Sequence, residues 1–187
     1  NLDEEGGRFD NRARLRSLKI WEGQASAWWD LDGDGWQDQL VIMSKQVSVL
    51  NNPGEGRFKL MPGKPMGIKL PTTYKLRRKG FAKTTLSVFD IDADGALDLW
   101  VSSIGDKKFH RVFLRRGEGF EDATTQLGLQ KLLGTEGIVL VDVDDDGYVD
   151  VLALGREPLL LRNRDGRRFD PVSLIDLLPA LPSGIEP

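Results

Sequence analysis

Twelve aspartates recur in three copies of one nine-residue pattern. The copies are Asp30-Leu31-Asp32-Gly33-Asp34-Gly35-Trp36-Gln37-Asp38, Asp90-Ile91-Asp92-Ala93-Asp94-Gly95-Ala96-Leu97-Asp98 and Asp142-Val143-Asp144-Asp145-Asp146-Gly147-Tyr148-Val149-Asp150. Each has carboxylates at positions 1, 3, 5 and 9 and glycine at position 6. Oxygen donors at this density suit a hard cation, and Ca²⁺ takes about six to eight of them. The glycine permits a sharp turn because it accepts positive φ without steric cost. A plain Asp/Gly turn without metal is the alternative for a single copy. Three copies that keep every carboxylate favour metal.

The pattern is not an EF-hand. That loop needs a bidentate Glu at position 12, where this chain has Val41, Val101 and Ala153. The flanks do not read as helices either. Ala25–Trp29, Leu86–Phe89 and Ile138–Val141 lead in, and Leu40–Ile42, Leu99–Val101 and Val151–Leu154 lead out. Short apolar runs rich in β-branched and aromatic residues, bounded by turn residues, read as buried strands. Each loop is therefore the tip of a β-hairpin, with Asp38, Asp98 or Asp150 opening the outgoing strand.

A second element follows each loop. Val47–Asn52 runs into Gly54-Glu55-Gly56-Arg57-Phe58, Arg111–Arg115 into Gly117-Glu118-Gly119-Phe120, and Leu159–Asn163 into Asp165-Gly166-Arg167-Arg168-Phe169. Each reads as a strand, a tight turn and a strand opening on Phe. The repeating unit thus has four antiparallel strands, which is one propeller blade. The loops start 60 and then 52 residues apart, both blade-sized periods. The expected organisation is all-β, a partial propeller of about three and a half blades. It divides into a trailing half-blade over 1–20, blades over 21–79, 80–134 and 135–175, and a Pro-rich tail over 176–187.

These loops resemble FG-GAP repeats, the integrin-α-type or VCBS class. The Trp28-Trp29-Asp30-Leu31-Asp32-Gly33-Asp34-Gly35 stretch and the Gly-containing tails before Phe resemble the ASPIC/UnbV branch, which includes cartilage acidic protein. The resemblance covers nearly the whole chain. It implies an exported, seven-bladed propeller with Ca²⁺ in the loops between the first two strands of a blade. It implies as ligands Asp30, Asp32, Asp34 and Asp38; Asp90, Asp92, Asp94 and Asp98; and Asp142, Asp144, Asp146 and Asp150. The backbone carbonyls of Trp36, Ala96 and Tyr148 complete the three Ca²⁺ sites. Three and a half blades fall short of a ring, so a further set of blades or another subunit is expected against at least one end.

Composition narrows the classes. At 187 residues, 40% apolar, the chain can bury a core. It has no Cys, which removes disulfides, thiol catalysis and Cys-based zinc. No apolar run reaches membrane-spanning length, and no signal peptide opens the sequence. Three bound Ca²⁺ would carry the formal charge from −3 to +3, so the acidic sequence says little about partners. Residues 61–80 contain Pro62, Pro65 and Pro71 beside a basic run of Lys75, Arg77, Arg78, Lys79 and Lys83. That run reads as a solvated loop, with docking of a polyanion as its functional alternative. Nucleic acid is not expected, since no recognition motif accompanies the charge. Residues 122–134 suggest a short helix between blades, and Ser173–Leu178 a helical turn.

No catalytic constellation emerges. His110 is the sole histidine and reads as structural, as no partner set for it can be placed. Trp28, Trp29, Trp36 and Trp100 lie in or beside the loops and read as core or rim packing, with sugar stacking as an alternative for Trp36. Asp145 reads as a non-ligand. The leading expectation is a non-enzymatic, Ca²⁺-stabilised module for adhesion or assembly, secreted, periplasmic or on the cell surface, with a protein or glycan partner. A polysaccharide lyase or hydrolase acting on acidic glycans, and a structural subunit of a multiprotein complex, are the alternatives.

Overall fold

Each Asp loop joins two strands of apolar residues, and the strands around the three loops build three four-stranded antiparallel sheets. The structure is a computed structural model and describes residues 23–43, 46–55, 58–61, 68, 84–103, 109–132, 135–155 and 158–172. The first sheet holds β1 (Gly23–Trp29), β2 (Asp38–Met43), β3 (Gln46–Asn51) and β4 (Lys59–Met61). The second holds β5 (Thr84–Phe89), β6 (Asp98–Ser103), β7 (Phe109–Arg116) and β8 (Gly119–Asp122). The third holds β9 (Gly137–Val141), β10 (Asp150–Leu154), β11 (Leu159–Arg164) and β12 (Arg168–Val172). In each, neighbours in sequence are neighbours in the sheet. The loops join β1 to β2, β5 to β6 and β9 to β10, and their ninth residues open β2, β6 and β10.

The second sheet is covered on both faces. Leu99, Val101 and Phe113 face the first sheet, where they meet Trp29, Leu40, Ile42 and Val49. Trp100, Val112 and Leu114 face the third, where they meet Val151, Ala153, Leu161 and Phe169. Successive side chains point to opposite faces. A strand buried on both sides must therefore be apolar at every position, and this is why Leu99–Val101 and Val112–Leu114 show no alternation. Edge-to-face ring pairs bridge both interfaces, Trp29 with Phe120 at 5.7 Å and Trp100 with Phe169 at 5.4 Å. His110 is buried, and its Nδ1 accepts a hydrogen bond from Trp100 Nε1 at 2.8 Å. The imidazole thus satisfies the indole N–H in the core, in line with a structural role.

Polar contacts repeat the same offset between sheets. Arg115 at the end of β7 donates from Nη2 to the carbonyl of Leu31 in the first loop, at 2.9 Å. Asn163 near the end of β11 donates from Nδ2 to the carbonyl of Ile91 in the second loop, at 2.7 Å. Leu31 and Ile91 both stand at position 2 of their loops. The turn after β11 also presses on the second loop. A Cβ at Gly166 (φ +68°) would lie 2.5 Å from Asp92 Cα, so only glycine fits there.

Residues 122–132 depart from expectation. They form turns rather than a helix. Leu127 N–H reaches Ala123 O, but Leu129 N–H then bonds Thr124 O and Gly128 N–H bonds Thr125 O, with Gly128 at φ +79°. This pairing around a left-handed glycine is a helix C-terminal closure, and it stops the chain after one turn. Among the described residues the three sheets stack without closing into a ring. The half-blade over 1–20, Trp21, the basic run Lys75–Lys83, the turn over Ser173–Leu178 and the tail over 176–187 lie outside the described residues. No helix among those described is long and apolar enough to cross a membrane.

Asn163 is 1% exposed, and its amide also donates to Val149 O at 3.2 Å and accepts from Gly166 N–H at 3.0 Å. Removing a buried partner leaves these groups unsatisfied. Asn163→Ala is expected to lower the unfolding free energy by about 1–3 kcal/mol, read by chemical denaturation.

Candidate metal centre

The three loops share one hydrogen-bond plan. The first carboxylate of each gathers the turn. Asp30 accepts from Gly33 N–H and Gly35 N–H at 2.8 and 2.9 Å. Asp90 accepts from Asp94 and Gly95 at 3.2 and 2.9 Å, and Asp142 from Asp146 and Gly147 at 3.2 and 3.0 Å. The fifth-position carboxylates of Asp34, Asp94 and Asp146 each accept the N–H two residues on, from Trp36, Ala96 and Tyr148. Position 6 is left-handed in all three, with Gly35, Gly95 and Gly147 at φ +88°, +87° and +86°. Position 4 is left-handed too, as Gly33, Ala93 and Asp145. Two successive reversals bring the carboxylates to one side of the turn.

The ninth residue ties the loop to the sheet. Asp38, Asp98 and Asp150 are 1%, 0% and 0% exposed. Each accepts with Oδ2 from the N–H at position 2 of its own loop, Leu31, Ile91 or Val143, at 2.8–3.0 Å. Each accepts with Oδ1 from a backbone N–H beside the end of the third strand, that of Asn52, Arg115 or Asn163, at 2.7 Å. One buried side chain therefore fastens loop, second strand and third strand together.

The structure brings three carboxylates of each loop within reach of one ion. Asp30, Asp32 and Asp38 form the first group, Asp90, Asp92 and Asp98 the second, and Asp142, Asp144 and Asp146 the third. In each group the oxygens lie within 4.8 Å of one another. Asp34, Asp94 and Asp150 stand outside these groupings. Trp36, Ala96 and Tyr148 lie at the loop apices, their N–H groups held as described. Asp92 Oδ1 is buried and has no hydrogen-bond partner, so the second loop fits a cation at that atom. The donor set is oxygen throughout, which suits Ca²⁺, Mg²⁺ or Mn²⁺ and not a soft metal.

The residues that touch position 3 were not singled out by spacing alone. Asn51 donates from Nδ2 to Asp32 Oδ2 at 2.7 Å. Arg116 donates from Nη2 to Asp92 Oδ2 at 2.7 Å and from Nη1 to Asp94 Oδ2 at 3.1 Å. Arg162 pairs with Asp144. All three lie near the end of the third strand of their own sheet, Asn51 and Arg162 one residue before the N–H that binds the ninth aspartate and Arg116 one residue after it, so no single position in the repeat marks them. The side-chain hydrogen bond to Asp92 holds the Arg116 guanidinium above its usual pKa.

Trp29 and Trp100 are buried, whereas Trp28 and Trp36 are exposed. Trp36 lies over the turn at Gly54, where a Cβ would come within 2.5 Å of its Nε1. A cleft of about 700 Å³ opens between the first two loops, lined by Trp28, Asp30, Gln37, Asp94, Arg115 and Arg116 among others.

A family model described as FG-GAP-like repeat matches residues 30–101 and again 90–153. No curated protein matches the chain.

Burial pushes the Asp98 carboxyl up to about 6, with smaller upward contributions from Asp92 and Asp94. The N–H groups of Arg115 and Ile91 pull the other way. The folded value lies above the ordinary 3.8. The group's contribution to stability is therefore complete below about 3.8 and is lost as pH rises through about 6. In chelator, the Asp98 carboxyl carbon should titrate in NMR spectra with a midpoint near 6. A midpoint near 3.8 would show that the site solvates this charge better than its burial implies.

Proposed function

The chain belongs to the FG-GAP-like repeat family, and from that premise we propose a non-enzymatic β-propeller-type interaction module whose hairpin tips are stabilised by Ca²⁺. The carrying observation is the threefold recurrence of three convergent carboxylates, one group at each Asp loop. Like charges held this close repel, and a divalent ion removes the repulsion. In this reading Asp30, Asp32 and Asp38 hold the ion in the first loop, Asp90, Asp92 and Asp98 in the second, and Asp142, Asp144 and Asp146 in the third. It supplies charge neutralisation and rigid tips, and the residues outside the loops present the binding surface.

Several features support the rest of the reading. The three sheets are strand-for-strand blades, and the stack exposes Val139, Val141 and Val143 at the third sheet, a face suited to a further blade or another subunit. Trp28, 56% exposed beside the cleft, offers an aromatic surface to a protein or glycan partner. Extracellular modules bind Ca²⁺ at roughly 10⁻⁴–10⁻³ M, so the loops would fill outside the cell, in the periplasm or at the cell surface. The proposal includes the ASPIC/UnbV branch, which the Trp28–Gly35 stretch and the turn sequences before Phe support.

Ca²⁺ should raise the melting temperature, and each site filled at a hundredfold excess over Kd should add about 2.7 kcal/mol. Asp32→Ala, Asp92→Ala and Asp144→Ala should each remove one site in calorimetric titration and part of the thermal shift. An unchanged melting temperature on chelation would overturn the metal reading.

A further inference from the structure

The three loops are alike in their carboxylates and unlike in what neutralises them. In the second loop the Arg116 guanidinium bridges Asp92 and Asp94. In the third, Arg162 is paired with Asp144. In the first, the equivalent contact on Asp32 comes from the Asn51 amide, which carries no charge. Arg115 stands beside the first loop, but its guanidinium is engaged with the carbonyls of Leu31 and Gly117 and lies 5.2 Å over the Trp29 ring. No ion pair joins it to Asp30, Asp32, Asp34 or Asp38 among the described residues.

We infer that Arg116 and Arg162 are internal counter-ions that lower the cation affinity of the second and third loops, so that the first loop fills at lower cation concentration than the other two. The inference rests on the metal reading above. A guanidinium in contact with one or two candidate ligands repels an incoming divalent ion, and it must release those oxygens or leave fewer lone pairs for the metal. It also neutralises part of the loop's charge when no metal is bound, so the second and third hairpins keep their shape at low Ca²⁺ while the first depends on the ion. Two unit charges about 4 Å apart interact by about 1 kcal/mol even in bulk water, and the ion is divalent. The expected penalty is therefore roughly tenfold in affinity at the second loop, where Arg116 touches two carboxylates. It is smaller at the third, where Arg162 touches one. The result is a graded response from three nearly identical sequences.

The position-6 glycines give one reporter per loop, since Gly35, Gly95 and Gly147 N–H each bond the first carboxylate of their own loop. In an amide NMR titration with Ca²⁺, Gly35 should shift at the lowest concentration, and Gly147 and Gly95 at higher ones. Arg116→Gln should move the Gly95 midpoint down roughly tenfold and leave Gly147 in place. Arg162→Gln should move Gly147 down by a smaller factor and leave Gly95 in place. Asn51→Arg should move Gly35 up. Common midpoints for the three glycines, or a Gly95 midpoint that Arg116→Gln leaves unchanged or raises, would overturn the counter-ion role with metal binding intact. If no glycine responds to millimolar Ca²⁺, the metal reading itself falls and this inference with it.

Discussion

A carboxylate buried at the foot of each loop is the constraint on which the rest of the structure turns. Asp38, Asp98 and Asp150 are almost wholly removed from water, and each is held by two backbone N–H groups. Two such bonds fix its position, and at Asp98 burial outweighs them and pushes the carboxyl up to about 6. The buried charge asks for compensation from nearby, and the chain places three more carboxylates there instead. A proton, a guanidinium or a metal ion is what can reconcile that arrangement. The first is available to Asp98 in mild acid. The second is in place at two loops. The oxygen-only donor set could hold the third.

The same aspartate links the loops to the architecture. Because its Oδ1 holds the N–H beside the end of the third strand, that strand's exit is set by the loop. The side chain at this register then turns to the preceding sheet, as Arg115 does to Leu31 and Asn163 to Ile91. The first and second loops are thereby clamped by their own sheet from below and by the next sheet from the side. Burial follows the same order. Asp90 and Asp92 of the second loop are both partly covered, under the turn at Gly166, while Asp142, Asp144 and Asp146 are all exposed.

Much of this was legible in the sequence because it is written in local chemistry. Asp at alternate positions with Gly at position 6 can only be a tight acidic turn, and the continuous apolar runs beside it mark strands covered on both faces. Those two signals placed the six strands that flank the loops and the start of β2, β6 and β10, and the Gly-containing turn that follows each loop placed the other two strands of each sheet. Less was legible where distant segments decide. The stretch 122–134 is rich in leucine, yet Gly128 takes a left-handed conformation and ends the turn at 124–128. Tertiary packing of Leu127 and Leu129 into the core then outweighs helix propensity. The close approach of Gly166 to Asp92 joins residues more than seventy positions apart, and no local pattern encodes it.

The contrast between the loops belongs to this second class and bears on how repeats diverge. Changing the first aspartate of a loop removes a candidate ligand and loosens the turn together, because Asp30, Asp90 and Asp142 bind the backbone with both oxygens. The residues just before the next turn are under no such double demand. Asn51, Arg116 and Arg162 each touch the position-3 carboxylate from outside the loop, and a neutral amide or a guanidinium satisfies that oxygen equally well as a hydrogen-bond donor. Charge at these positions is therefore free to vary while the fold stays constant. A repeat built on this acidic turn can adjust its electrostatics from such outside positions, and at position 4, where Asp145 stands in place of Gly33 and Ala93, without touching the four recurring aspartates.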